Sequence, residues 1–104
     1  MAEMFSPSSV IRDPKNIVRV IEVTLPQISS WILYHWGGLP EYLAKHFRDL
    51  DLLKKGLAPL YDEMREGDSL WLCRSDQIGP LFGHEGIGLV RDGRVIIYIR
   101  MVQY

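Results

Sequence analysis

His84 and Glu85 sit side by side between Gly83 and Gly86, and an imidazole beside a carboxylate has the groups that general acid–base catalysis uses. Glycines on both sides let a backbone come close to a ligand. Adjacent side chains diverge, however, and a general base needs an orienting partner and a pocket that one local pair does not supply. A glycine-flanked turn with two solvated side chains is the plainer reading, so His84 and Glu85 stand only as weak catalytic candidates. Cys73, the only cysteine, raises the question of a nucleophile. A reactive thiolate needs exposure and an electropositive neighbour. Strand alternation sends Arg74 to the opposite face, so Cys73 reads as a small buried filler.

His35, His46 and His84 show neither the i, i+4 pair nor any Cys/His spacing that metal sites use, and no metal is expected. His35 is expected to pack beside Trp31, and His46 to lie at the edge of its helix near Asp49. The chain has no Gly-x-Gly-x-x-Gly and no lysine-bearing phosphate loop. Gly83, Gly86 and Gly88 precede a strand rather than a helix, so no nucleotide or other cofactor is expected. Trp31, Tyr34, Trp36 and Tyr42 gather around Gly37-Gly38 and have the makings of a small-molecule pocket. Aromatic residues at helical spacing nevertheless belong more often to a core.

These residues must be positioned by one domain, because 104 residues close a single core. Hydrophobic residues make up 47% and charged residues 24%, which excludes the low-hydrophobicity, high-charge composition of a disordered chain. Twelve basic residues against thirteen acidic ones leave a net charge of −1. No global field draws the protein to nucleic acid or an anionic membrane, and any polyanion site has to be local. A single cysteine excludes an intrachain disulfide and fits a reducing compartment, so the expected location is cytoplasmic. Met1 to Val10 lacks the pattern of a secretory signal and reads as a frayed arm. Val23 to Pro40 carries no Asp, Glu, Lys or Arg, but Pro26, Gln27, Ser29, Ser30, Gly37 and Gly38 interrupt it well short of the ~18 apolar residues of a membrane span.

Asn16 to Leu25 is rich in β-branched residues and reads as a strand, although Asp13-Pro14 also fits a helix start. Thr24-Leu25-Pro26-Gln27 fits a capping box opening a helix through Ile28, Trp31, Ile32 and His35, which Gly37-Gly38 stops. Leu39-Pro40-Glu41 opens a second helix with a stripe of Leu39, Tyr42, Leu43, Phe47, Leu50 and Leu53, ending at Gly56. Pro59 restarts a short helix through Leu60, Tyr61 and Met64. Leu70 to Cys73 then reads as a strand, followed by a loop with Gly79, Pro80 and Gly83 and by two further strands.

Asp92-Gly93 is the strongest local signal and predicts a two-residue type I′ turn. Uninterrupted pairing then sets Arg91 opposite Arg94, Leu89 opposite Ile96, Ile87 opposite Tyr98, Val90 opposite Val95 and Gly88 opposite Ile97. One face, with Gly88, Val90, Val95, Ile97, Ile99 and Met101, is free of charge and should receive the helices. The other carries Ile87, Leu89, Ile96 and Tyr98 fringed by Arg91, Arg94 and Arg100. An apolar centre with an arginine rim has the anatomy of a protein–protein interface. The competing readings are a platform for single-stranded nucleic acid, which disfavours itself by offering one aromatic ring, and ordinary core with arginines at its edge.

Gly67, Asp68, Leu70 and Trp71, followed after a loop by Gly86, Leu89, Val90, Arg91, Gly93 and Val95, form a pattern that resembles a group of small bacterial proteins of no known activity. It covers the last third of the chain. Where that group often has Gly-Arg-x-Gly before the hairpin, this chain has Gly83-His84-Glu85-Gly86, so no role for the arginine carries over. The resemblance implies a fold and no chemistry.

These features predict an α+β domain over 13–104 with a flexible arm at 1–12. Central helices are followed by a C-terminal antiparallel sheet with a type I′ hairpin at 91–94, and the helices cover one sheet face. The expected function is that of a small non-enzymatic interaction or regulatory module. Its binding residues are Ile87, Leu89, Arg91, Arg94, Ile96, Tyr98 and Arg100, and its partners are a second copy in a homodimer and possible other proteins. The alternatives are a small-molecule-binding protein or enzyme using the His84-Glu85 loop, and RNA or single-stranded DNA binding on the Tyr98/arginine face. Nucleic acid is the less favoured of these, and no membrane association is expected.

Overall fold

Asp92 and Gly93 turn the chain with φ values of 53° and 79°, and Arg91 pairs with Arg94 across the turn. Positive φ at both positions is what a two-residue hairpin needs if its twist is to match that of its strands. In the computed structural model, which describes residues 9–76 and 83–103, this hairpin joins β4 (His84–Arg91) to β5 (Arg94–Gln103). Met1 to Ser8, Gly79 and Pro80 lie outside the described residues. The sheet also holds β1 (Val10–Arg12), β2 (Ile17–Val23) and β3 (Ser69–Ser75). The described residues form an antiparallel five-stranded sheet in the order β1-β5-β4-β3-β2. Four helices lie between β2 and β3: α1 (Leu25–His35), α2 (Glu41–Arg48), α3 (Leu50–Gly56) and α4 (Ala58–Tyr61). The fold is α+β.

Local chemistry accounts for the helix boundaries. Thr24 and Gln27 form the expected capping box, and Gly38 takes φ 86° in the turn after α1. The helix expected from Leu39 to Gly56 is broken in two, because Asp49 is extended and its carboxylate accepts from the Asp51 and Leu52 amides as the N-cap of α3. Asp competes with a continuing helix in this way. Ser29, buried in α1, donates to the Phe47 carbonyl at 2.5 Å. That bond occupies one of the orphan carbonyls at the end of α2.

Two strands come from the part of the chain before the helices. Ile17–Val23 is a strand, as its β-branched run suggests. Val10–Arg12, which the sequence assigns to a flexible arm, is instead paired with β5 through Val10–Ile99, Ile11–Tyr98 and Arg12–Ile97. The corner between them shapes the sheet. The Asp13 amide donates to the Ile96 carbonyl at one edge, while the Asn16 carbonyl accepts from the Asp76 amide at the other. Three residues reach at most about 11 Å, whereas the outer strands of a flat five-stranded sheet lie about 19 Å apart. The sheet therefore rolls, and β1 and β2 are two halves of one bent strand serving both edges. Asp13 (φ 48°) and Asn16 (φ 60°) make the bend, in a conformation that Asp and Asn tolerate better than most residues.

Rolling creates two cores. Leu70, Ile87, Leu89, Ile97 and Ile99 pack against Ile28, Ile32, Phe47, Leu53, Leu57 and Leu60 of the helical layer. Inside the roll, Cys73, Val90, Val95 and Tyr98 form a second cluster, with Ile11, Ile17 and Trp71 against it.

Candidate interaction surface

The seven residues expected to bind a partner do not share a face. Register skips leave Ile96 and Met101 of β5 without a directly opposite residue, so Leu89 pairs with Ile97, Ile87 with Ile99 and Gly88 with Tyr98. Each skip is a bulge, and one extra residue exchanges the faces beyond it. Ile87 and Leu89 thus join the helix-facing core and are fully buried. Tyr98 lies in the roll, also fully buried. The expected apolar outer face is core on both sides, and a buried Tyr98 offers no ring on which a base could stack. Ile96 is half-buried against the helix-side core.

The arginines divide as well. Arg91 grips Asp68 through Nε at 3.1 Å and Nη2 at 2.7 Å, and Nη2 also donates to the Glu63 carbonyl at 2.9 Å. Asp68 keeps only 2% of its side chain in solvent. The Arg91 hydrogen bonds, aided by the Arg65 amide, hold its carboxyl below the usual carboxylate range. Arg91 is therefore a structural tie between the hairpin and the turn ending the helical half. Arg94 is exposed and lies 3.9 Å from Asp13, beside a cavity of about 210 Å³ lined by Asp13, Pro14, Lys15, Arg94 and Val95. Arg100 is half-buried, on the Tyr98 side of β5.

His84 and Glu85 are not in a loop but open β4, and alternation sends them to opposite faces. His84 Nδ1 lies 2.9 Å from the Tyr98 hydroxyl, and its amide donates to Ser75 Oγ at 3.1 Å. Burial, with the Arg100 charge nearby, lowers the His84 pKa; burial raises that of Tyr98. Glu85 stands opposite Arg74. Cys73 is buried, and desolvation pushes its thiol up to about 12, which keeps it protonated at neutral pH. His35 packs on Trp31 with ring centroids 4.7 Å apart. Among the described residues, no three His, Cys, Asp or Glu side chains converge as a metal site requires.

Exposed apolar side chains mark surfaces outside the expected sheet-face site. Val18, Val20 and Ile21 of β2 are exposed, the last two at 53% each, and Tyr34 at 82%, Tyr42 and Leu43 project from α1 and α2. Trp36 is half-buried with its ring centroid 5.4 Å from Phe47, so the aromatic group splits between core and surface. In β2 no residue from Val18 to Glu22 is buried. Arg19 lies over the Trp71 ring, 4.9 Å from its centroid. The signal was present in the run Ile17–Val23, whose β-branched residues alternate with Arg19 and Glu22; what it lacked was the strand's place in the sheet.

No family model, curated protein or solved structure matches the chain. No helix among the described residues is long and apolar enough to cross a membrane.

Proposed function

We propose that this domain is a small non-enzymatic interaction module, and that its contacts with protein run along the outer edge of β2. The observation that carries this reading is that, among the described residues, β2 is an edge strand of seven residues whose Val18, Val20 and Ile21 are exposed together. An open edge presents backbone donors and acceptors that an added strand can satisfy, with alternate side chains giving selectivity. The weak catalytic candidates lend less support. His84 is engaged with Tyr98, and the Cys73 thiol is held protonated. A single buried thiol also suits a reducing, cytoplasmic setting.

Amide hydrogen exchange on a dilute sample tests the reading. Outward amides of Val18 to Glu22 should exchange orders of magnitude faster than those of the central strand β4. Protection of the whole of β2 to the level of β4 in a monomeric sample overturns it, because the edge is then covered within the molecule.

A further inference from the structure

Arg19 and Glu22 are three residues apart, and in an unbroken strand they would point to opposite faces. They do not, because β2 skips register between Arg19 and Ile21: Arg19 pairs with Cys73, Ile21 with Leu72 and Glu22 with Trp71. Cys73 and Trp71 lie on one face of β3, so Arg19 and Glu22 share that face as well. Val18, Ile21 and Val23, opposite Arg74, Leu72 and Leu70, share the other. Val20 is the extra residue.

We infer that β2 pairs antiparallel with β2 of a second copy, across a two-fold axis passing between Val20 and Ile21. This rests on the open-edge reading above and names its occupant. In this register Arg19 faces Glu22 of the other copy, symmetry repeats the pair on the far side of the axis, Val18 faces Val23, and Val20 meets Ile21. Directly opposite residues in a ladder lie on the same face. Shifting the register by one residue in either direction sets Arg19 against Ile21 or Val23, from the other face. The bulge therefore selects a self-pairing with two crossed ion pairs and an apolar centre. Bulges and charges on an edge ordinarily guard against indiscriminate pairing; here their positions are self-complementary, as an isologous contact requires. A single strand pair buries less than the ~1,000 Å² of a standard stable interface, so the dimer is weak and concentration-dependent.

Sedimentation velocity from about 5 to about 500 µM, the range suited to a small interface, provides the test. The wild type should pass from monomer toward dimer. Arg19→Glu and Glu22→Arg should each remain monomeric, since like charges then face each other, and the double swap Arg19→Glu/Glu22→Arg should dimerise again. Exchange of the β2 amides in the wild type, measured at both ends of the range, should slow as the dimer forms, a readout that needs no variant to fold. A wild type that stays monomeric at the top of the range with freely exchanging β2 amides overturns the self-pairing and leaves the edge to another partner. A dimer that survives Arg19→Glu overturns it too. Protection of β2 in the monomer overturns both this inference and the open edge on which it rests.

Discussion

Gly88 lies where side chains inside the roll close on the backbone of β4. A Cβ added there would stand 2.8 Å from Cys73 Sγ and 2.9 Å from Val95 Cγ1, so the glycine is required by contact and not by φ. Gly88→Ala should cost about 1–3 kcal/mol, the usual penalty for overpacking a filled core. The collision is shared with a small, removable neighbour. In a Cys73→Ala background, Gly88→Ala should therefore be milder by at least ~0.5 kcal/mol, a coupling that urea denaturation of the four proteins resolves. Strictly additive costs would mean that Cys73 does not set the limit. The same contact accounts for the setting of the lone cysteine: its sulfur lies where Gly88 has no side chain, and burial holds the proton on it.

At the scale of elements, the bent strand depends on two residues with positive φ, Asp13 and Asn16. Asn16→Val should destabilise the domain by about 1–2 kcal/mol, since a β-branched residue fits the left-handed region poorly, while Asn16→Gly should be close to neutral. Equal losses in thermal melts of the two variants would show that the Asn16 side chain, and not its backbone conformation, matters. This corner also separates what could be read from the sequence from what could not. The capping box at Thr24 and the turn at Asp92-Gly93 were legible because each is fixed by residues within a few positions. The broken helix at Asp49 and the strand at Val10–Arg12 were not. The apolar stripe runs on past Asp49, from Phe47 to Leu50 and Leu53, with no gap to mark a break, and a three-residue strand has no periodicity to detect. The bulge at Ile96 is harder still, because its carbonyl meets the Asp13 amide only after the roll has brought the two together. One unpaired residue there moved Ile87 and Leu89 from an expected binding face into the helix-side core. The edge position of β2 is likewise a property of strand order, set by pairings across the 45 residues of helix and turn between Val23 and Ser69.

Over the whole molecule, two titrating groups make stability depend on pH in the same direction at different points. His84 joins the β4 and β5 strands through Tyr98, and its folded pKa lies below the ordinary 6.5. As pH falls through 6.5 the unfolded chain takes up this proton before the folded one does, so acidification favours unfolding until the folded pKa is reached. Asp68 ties the helical half to the hairpin through Arg91, and its folded pKa lies below the ordinary 3.8. Its contribution is complete above that value and is lost as pH falls further, again because the unfolded chain binds the proton first. The melting temperature should thus decline from about pH 6.5 in a first acid step belonging to His84 and decline again below about pH 4 in a step to which Asp68 contributes. His84→Gln, which keeps a hydrogen-bonding side chain beside Tyr98 without the titration, should flatten the first step and spare the second. Asp68→Asn should lower the melting temperature by several degrees near neutral pH, where the Arg91 pair is intact in the wild type, and should reduce the second step. Melting curves of the three proteins from pH 3 to pH 8 decide the matter. A first step that persists in His84→Gln assigns the upper titration to another group, and a second step of full size in Asp68→Asn removes the Arg91–Asp68 pair as a cause of acid sensitivity.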